Sequence, residues 1–274
     1  MIEDSFKGPG GLTIATRSWR PAGDVSGVVI IAPGFNSHSG YYQWVAGQLL
    51  GSGLAVHAID FRGRGRSEGE RFYVETFDDY VGDLAALVAR AKSQTPGVPA
   101  FLLGHSAGGV VSCLYALAHQ SELSGLICES FAFQLPAPDF ALTVLKGLSH
   151  VAPHAHVLKL HNEDFSRDPE IVQAMNADAL IANESQPTQT IAAMVRADER
   201  LKTEFPRITL PLLILHGTGD KAAKASGSQF FYDTAGAKDK TLKLYDGHFH
   251  DLLNDTGKAA VMADITSWIG RHLP

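Results

Sequence analysis

The stretch Gly104-His105-Ser106-Ala107-Gly108 sets a serine between two glycines. A serine hydroxyl attacks a carbonyl only when a base takes its proton and the backbone presents its oxygen to the substrate. The residues on either side supply the second condition. Ala100 to Leu103 form a short apolar run, and Val110, Val111 and Leu114 follow the turn at helical spacing. A strand that ends in a glycine-flanked serine, with a helix starting at once, is the Gly-x-Ser-x-Gly nucleophile elbow. So sharp a turn holds the serine in strained dihedrals and leaves no room for side chains at the flanking glycines. A chain with 27 glycines produces such pentapeptides by chance. The strand before and the helix after separate this one from the rest, and Ser106 is read as the nucleophile.

The base and its orienting acid should follow in the order Ser, acid, His. Asp220 stands directly after the apolar run at 210–215, in the tight turn His216-Gly217-Thr218-Gly219-Asp220. Glu129, after the run that follows the elbow helix, is the rival acid, and Asp220 has the better turn. Of the 12 histidines, His248 and His250 lie between the last expected strand and the closing helix. The spacing Gly247-x-x-His250, followed by Asp251 and apolar Leu252 and Leu253, favours His250 as base. His248 is then a neighbour lining the pocket entrance, and remains the alternative base. His105 and His216 are expected beside the site, His105 within reach of substrate. A tetrahedral intermediate needs two preorganised donors. The expected pair is the backbone N–H of Ala107 and that of Phe35, in the loop after residues 27–32.

The elements needed to position these groups alternate along the chain. Expected strands lie at 12–19, 27–32 (GVVIIA), 54–59, 100–103, 123–128, 210–215 and 241–245. Helical spacing occupies 41–50, 77–91, 225–234 and 259–269, and follows the elbow at Val110, Val111 and Leu114. Continuous β-branched runs mark strands buried on both faces of a parallel sheet. The class is therefore α/β, with a mostly parallel, doubly wound sheet. From 130 to about 207 the rhythm changes to helical patches (140–148, 170–175, 190–195) without a clear strand. Residues 131–207 are read as a helical lid inserted into a core formed by 1–130 and 208–274.

At 274 residues, 45% hydrophobic and 19% charged, the chain can build a large core. A net charge of −6 argues against nucleic acid as partner. The one basic cluster, Arg62, Arg64 and Arg66, stands in a glycine-rich turn near Asp60, Glu68 and Glu70, and reads as an internally paired loop. Both cysteines, Cys113 and Cys128, sit in apolar runs as small core residues, and the polar N-terminus lacks a signal-peptide pattern. A soluble, cytoplasmic protein is expected.

Several motifs taken together resemble the monoacylglycerol lipase family of serine hydrolases, which have the α/β-hydrolase fold. They are residues 33–42 (PGFNSHSGYY), 60–67 (DFRGRGRS), 104–109 (GHSAGG), 216–220 (HGTGD), 247–250 and the lid phrase Ser166-Arg167-Asp168-Pro169-Glu170. The resemblance spans nearly the whole chain. It implies carboxylic-ester hydrolysis by Ser106, Asp220 and His250 beneath an apolar lid over an acyl pocket. The chain departs from the family's His-Gly-x-Gly-Glu-His-Ser loop, with Pro33 for the first His, Asn36 for the second Gly and Ser37 for the Glu. The family's frequent Met after the nucleophile is Ala107 here. Backbone donors survive such changes, whereas the leaving-group pocket, and with it the glycerol preference, is open to change.

The expected substrate is a single-chain lipid ester such as monoacylglycerol, with lysophospholipids and short soluble esters as alternatives. Phe35, Asn36, His105, His248, Phe140 and Leu145 are the expected substrate-binding residues. The apolar stretch from Pro136 to Leu148 packs the lid, lines an acyl channel, or touches a membrane or micelle transiently. An aminopeptidase or amidase on the same fold would need a lid carboxylate cluster, for which Glu163, Asp164 and Asp168 are available. A non-catalytic binding protein is disfavoured by the intact Ser, Asp and His set. No cofactor is expected, since Gly63-x-Gly65 is too short for a dinucleotide fingerprint. No metal is expected either, since His150, His154, His156 and His161 lack neighbouring acidic or thiol ligands at regular spacing.

Overall fold

A computed structural model describes residues 1–134 and 138–274. The chain opens with strands β1 (Ile2–Lys7) and β2 (Thr13–Trp19). It continues through β3 (Gly27–Ala32), helix α1 (Gln43–Gly51), β4 (Leu54–Ile59), α2 (Phe77–Gln94), β5 (Ala100–His105), α3 (Ala107–His119) and β6 (Gly125–Glu129). An excursion follows, made of α4 (Asp139–Leu148), β7 (His156–Leu158), α5 (Pro169–Ala177), β8 (Gln186–Pro187) and α6 (Thr188–Glu204). The chain then returns through β9 (Leu212–Gly217), α7 (Ala225–Thr234), β10 (Lys240–Tyr245) and α8 (Lys258–Arg271).

Eight strands form one sheet in the order β1-β2-β4-β3-β5-β6-β9-β10. Neighbours from β4 to β10 run parallel, and β1 and β2 join antiparallel at one edge. The β-branched run of β3 alternates between two cores, which is why it carries no polar face. Val28 and Ile30 pack with Leu84 and Val88 of α2 and Val110 and Leu114 of α3. Val29 and Ile31 pack with Val45 and Leu49 of α1 and Ile265 and Trp268 of α8. Each such aliphatic side chain contributes roughly 1.5–3 kcal/mol through burial.

The structure departs from the sequence expectations in three places. β1 had no counterpart, because its Ile2-Glu3-Asp4-Ser5-Phe6-Lys7 run is largely exposed and lacks an apolar face; pairing with β2 alone defines it. The lid does contain strands, the short antiparallel pair β7–β8, too brief for a period-2 pattern to register. The arginines pair mostly with partners far along the chain rather than with Glu68 and Glu70. Arg62 binds Asp79 and Asp83, and Arg66 binds Glu3 while its backbone N–H reaches Asp60. Arg64, only 2% exposed, pairs with Glu184, donates to Gln186 at 2.8 Å and to Tyr80 at 3.0 Å, and stacks 4.0 Å over the Phe35 ring. It thereby pins the excursion to the loop after β3. Cys113 and Cys128 are buried free thiols with their sulfurs 3.7 Å apart.

Candidate active site

Parallel strands aim their carboxyl ends at one edge of the sheet, and the candidate residues collect there. Ser106, between β5 and α3, has φ 53° and ψ −122°, a region non-glycine residues avoid at a cost of about 1–3 kcal/mol. Its surroundings enforce this conformation. The Ser106 N–H donates to the Glu129 carbonyl at 3.0 Å, and the Ser106 carbonyl accepts from Gly109 at 2.9 Å. A Cβ at Gly108 would lie 2.0 Å from the Ala32 carbonyl oxygen, and one at Gly34 would lie 2.7 Å from Ser106 Cβ. The two glycines let the Ser106 turn and the Phe35 loop close on each other.

Ser106 Oγ donates to His250 Nε2 at 2.8 Å, and His250 Nδ1 donates to Asp220 Oδ2 at 2.7 Å. A carboxylate only accepts, so Asp220 assigns the ring proton to Nδ1 and leaves Nε2 as the acceptor facing Ser106. Asp220 is itself fixed by the turn after β9: its Oδ1 accepts from the N–H groups of Ala222 and Ala223 at 2.8 and 2.9 Å. Burial pushes the Asp220 carboxyl up, but His250 and His216 outweigh burial and hold it well below the usual carboxylate range. His216 Nε2 lies 3.0 Å from Asp220 Oδ2, and its Nδ1 meets Ser228. Ala107 opens α3, so its N–H has no intrahelical partner and is free to face the site.

The lid phrase 166–170 holds the histidine loop. Ser166 Oγ donates to the Asn254 carbonyl at 2.8 Å, Arg167 pairs with Asp255, and Asp251 N–H reaches the Phe165 carbonyl at 2.8 Å. Phe165 also stands edge-on to the His250 ring, 5.0 Å between centroids.

A cavity of about 280 Å³ opens onto Ser106 and His250. Its apolar wall includes Phe35, Leu142, Leu145, Leu158, Ile191 and Met194. Lys221 is its one lining residue among those described that is a lysine, arginine, aspartate or glutamate. A larger cleft of about 690 Å³ beside α2 and α6 contains none of Ser106, Asp220 or His250.

Of the expected substrate-binding residues, Phe35 and Leu145 line this cavity, and four others do not. Phe140 is 73% exposed, because α4 turns Leu142 and Leu145 inward and Phe140, Val144 and Leu148 outward. Pro136 lies outside the described residues. The Asn36 amide donates to Asn162 Oδ1 at 2.9 Å and to the Leu160 carbonyl, so it ties the loop to the lid. His248 packs its ring on Tyr245, 5.4 Å between centroids, and against Gly257. His105 is fully buried and bonded to Glu129, whose other oxygen accepts the Leu252 N–H at 2.8 Å; Glu129 therefore binds the histidine loop rather than the His250 ring. The lid carboxylates diverge. Glu163 accepts from Asn176, Asp164 faces Lys221 at 3.5 Å, and Asp168 caps α5. His154 pairs with Glu70, while His156 bonds Ser185.

Sequence reading passed over Lys221, Ile191 and Met194. The last two sit three apart on α6, a signal that one helix face meets the pocket. Lys221, next to Asp220, carried its signal in that position.

Burial disfavours the His105 cation, but Glu129 and then Asp251 reverse this and raise its pKa from 6.5 to about 9. A group that holds its proton more tightly when folded stabilises the protein below its unfolded pKa. The expected result is a melting temperature that falls by several degrees as pH rises from about 6.5 to 9. Replacing both His105 and Glu129 by glutamine should flatten that limb, which calorimetry across the range would measure.

Residues 23–257 match the family model described as "Serine aminopeptidase, S33". Among curated proteins, the monoacylglycerol lipase of Mycolicibacterium smegmatis is 34% identical over 99% of this chain and 98% of its own length. The human monoglyceride lipase is 31% identical over 93% of this chain and 86% of its own. Among solved structures, the monoacylglycerol lipase of Paleococcus ferrophilus superposes with a TM-score of 0.85 at 25% identity, covering 94% of this chain and 99% of that one. With sheet order, elbow and Ser–His–Asp geometry also of this kind, the chain belongs to the monoacylglycerol lipase family of α/β-hydrolases.

Proposed function

We propose that this protein hydrolyses carboxylic esters of single-chain lipids, monoacylglycerols foremost, through an acyl-serine intermediate. The observation that carries this reading is an apolar cavity ending at a serine hydrogen-bonded to a histidine. Ser106 Oγ attacks the ester carbonyl while His250 Nε2 takes its proton. The tetrahedral oxyanion is held by the N–H groups of Ala107 and Phe35. His250 then gives the proton to the departing alcohol oxygen, and water repeats the sequence on the acyl-enzyme to release the acid. Asp220 keeps His250 in the working tautomer and stabilises the imidazolium that forms.

Residues 131–207 act as the lid and the remainder as the catalytic core. Phe140, Val144 and Val151 are 73%, 65% and 84% exposed on the lid's outer side. They support entry of substrate from a membrane or micelle surface. No helix among the described residues is long and apolar enough to cross a membrane. Two buried free thiols support a cytoplasmic setting.

An aminopeptidase reading needs a carboxylate in the pocket to receive the substrate amine. The pocket carries Lys221 instead, with Asp164 paired to it, and Glu163 and Asp168 are engaged elsewhere, which favours esters. The test is hydrolysis of monoacylglycerols of increasing acyl length against p-nitrophenyl esters and amino-acid amides. Monoacylglycerols are expected to give the highest kcat/KM, rising with acyl length until the cavity is filled. Turnover of short activated esters alone would retain the mechanism and reject the lipid substrate.

A further inference from the structure

Ser106 and His250 each have a sequence neighbour in one buried cluster behind the reacting atoms. His105 precedes the nucleophile, Asp251 follows the histidine, and Glu129 closes β6. A ring nitrogen of His105 and carboxylate oxygens of Glu129 and Asp251 lie within 4.8 Å of one another. His105 and Glu129 are fully buried, and Asp251 is 5% exposed. Glu129 accepts a hydrogen bond from His105 Nδ1 on one oxygen and from the Leu252 N–H on the other. Asn254 donates to Asp251 Oδ2 at 2.9 Å. The His105 ring lies 5.1 Å from the His250 ring, centroid to centroid. Neither His105, Glu129 nor Asp251 lines the cavity.

Burying such a cluster is a poor way to gain stability, because desolvation costs several kcal/mol per ion and well-packed apolar groups do as well. Its connectivity is the informative feature. One carboxylate holds the strand end that carries the nucleophile and the loop that carries the base, two segments separated by more than half the chain.

We propose that Glu129 is a positioning residue for His250: through His105 and the Leu252 N–H it fixes the Ser106-to-His250 geometry. The inference rests on the reading of Ser106, His250 and Asp220 given above. Reacting groups displaced by about 1 Å lose on the order of 100-fold in rate, so a tie at this point acts on turnover rather than on substrate binding.

Glu129→Gln retains volume and an acceptor for Leu252 but loses the carboxylate that receives the His105 proton. It is expected to lower kcat about 10- to 100-fold on a monoacylglycerol while KM stays within about two-fold. Fluorophosphonate labelling of Ser106 should slow in the same proportion. His105→Gln should do the same, and the double variant should lose little more than either single one. Glu129→Asp, which keeps the charge on a shorter arm, should recover part of the loss. An unchanged kcat, or losses that add in the double variant, would overturn the proposal. If the variants do not fold, ¹⁵N chemical shifts of histidine-labelled wild-type protein at pH 8 decide. A proton held on His105 Nδ1 supports the tie to Glu129, and a ring protonated on Nε2 alone overturns it. Ser106→Ala is run alongside: if it stays active, the catalytic reading itself fails, whatever Glu129 does.

Discussion

Ser106→Ala is expected to reduce ester hydrolysis by at least about 10⁴-fold, leaving only what the oxyanion donors and binding supply. The expectation follows from the hydrogen-bond chain. Ser106 Oγ is the atom held 2.8 Å from His250 Nε2 at the end of the apolar cavity, and alanine leaves nothing there to attack or to be acylated. The substitution keeps the Cβ, so the strained turn at φ 53° and its contacts with Gly34 are unchanged and stability should shift little. Hydrolysis of a monoacylglycerol, covalent labelling by a fluorophosphonate and a thermal melt measure the three parts. Substantial residual turnover in a folded, unlabelled variant would mean that another nucleophile performs the reaction.

Asp220→Asn is expected to lower kcat by about 10⁴-fold with KM nearly unchanged. Asn can present its NH₂ group to His250 Nδ1, which favours the tautomer with its proton on Nε2, facing Ser106, where it cannot accept the serine proton. The carboxylate that stabilises the imidazolium is lost as well. Glu129 cannot take over from where it stands, since its oxygens are occupied by His105 and the Leu252 N–H. The contrast with the smaller loss expected for Glu129→Gln is therefore diagnostic. A drop of only about 10-fold in Asp220→Asn would show that a different acid orients His250. Glu129 would then be tested by combining the two substitutions.

The elbow, the strand-and-helix alternation and the order Ser, Asp, His were legible in the sequence. Each depends on local chemistry: glycines where a Cβ would collide, β-branched runs where a strand is buried on both faces, and a turn that delivers a side chain at a strand end. The pocket was less legible. Leu142 and Leu145 face inward while Phe140 faces solvent, although all are apolar and on one helix; the helix's rotation against α6 decides between them. Asn36, His105 and His248 were assigned to substrate by proximity along the chain, yet their partners, Asn162, Glu129 and Tyr245, are set by the packing of separate segments.

By itself, the sequence determined the α/β class and pointed to Ser106, His250 and Asp220, with Glu129 as the rival acid, because those follow from short-range periodicity and turn chemistry. Tertiary structure alone decided that Asp220 rather than Glu129 meets His250, that Lys221 enters the pocket, and that Arg64 joins the lid to the Phe35 loop. Those outcomes depend on distances between residues tens to more than a hundred positions apart, and no local pattern encodes such distances until the sheet has brought the strand ends together.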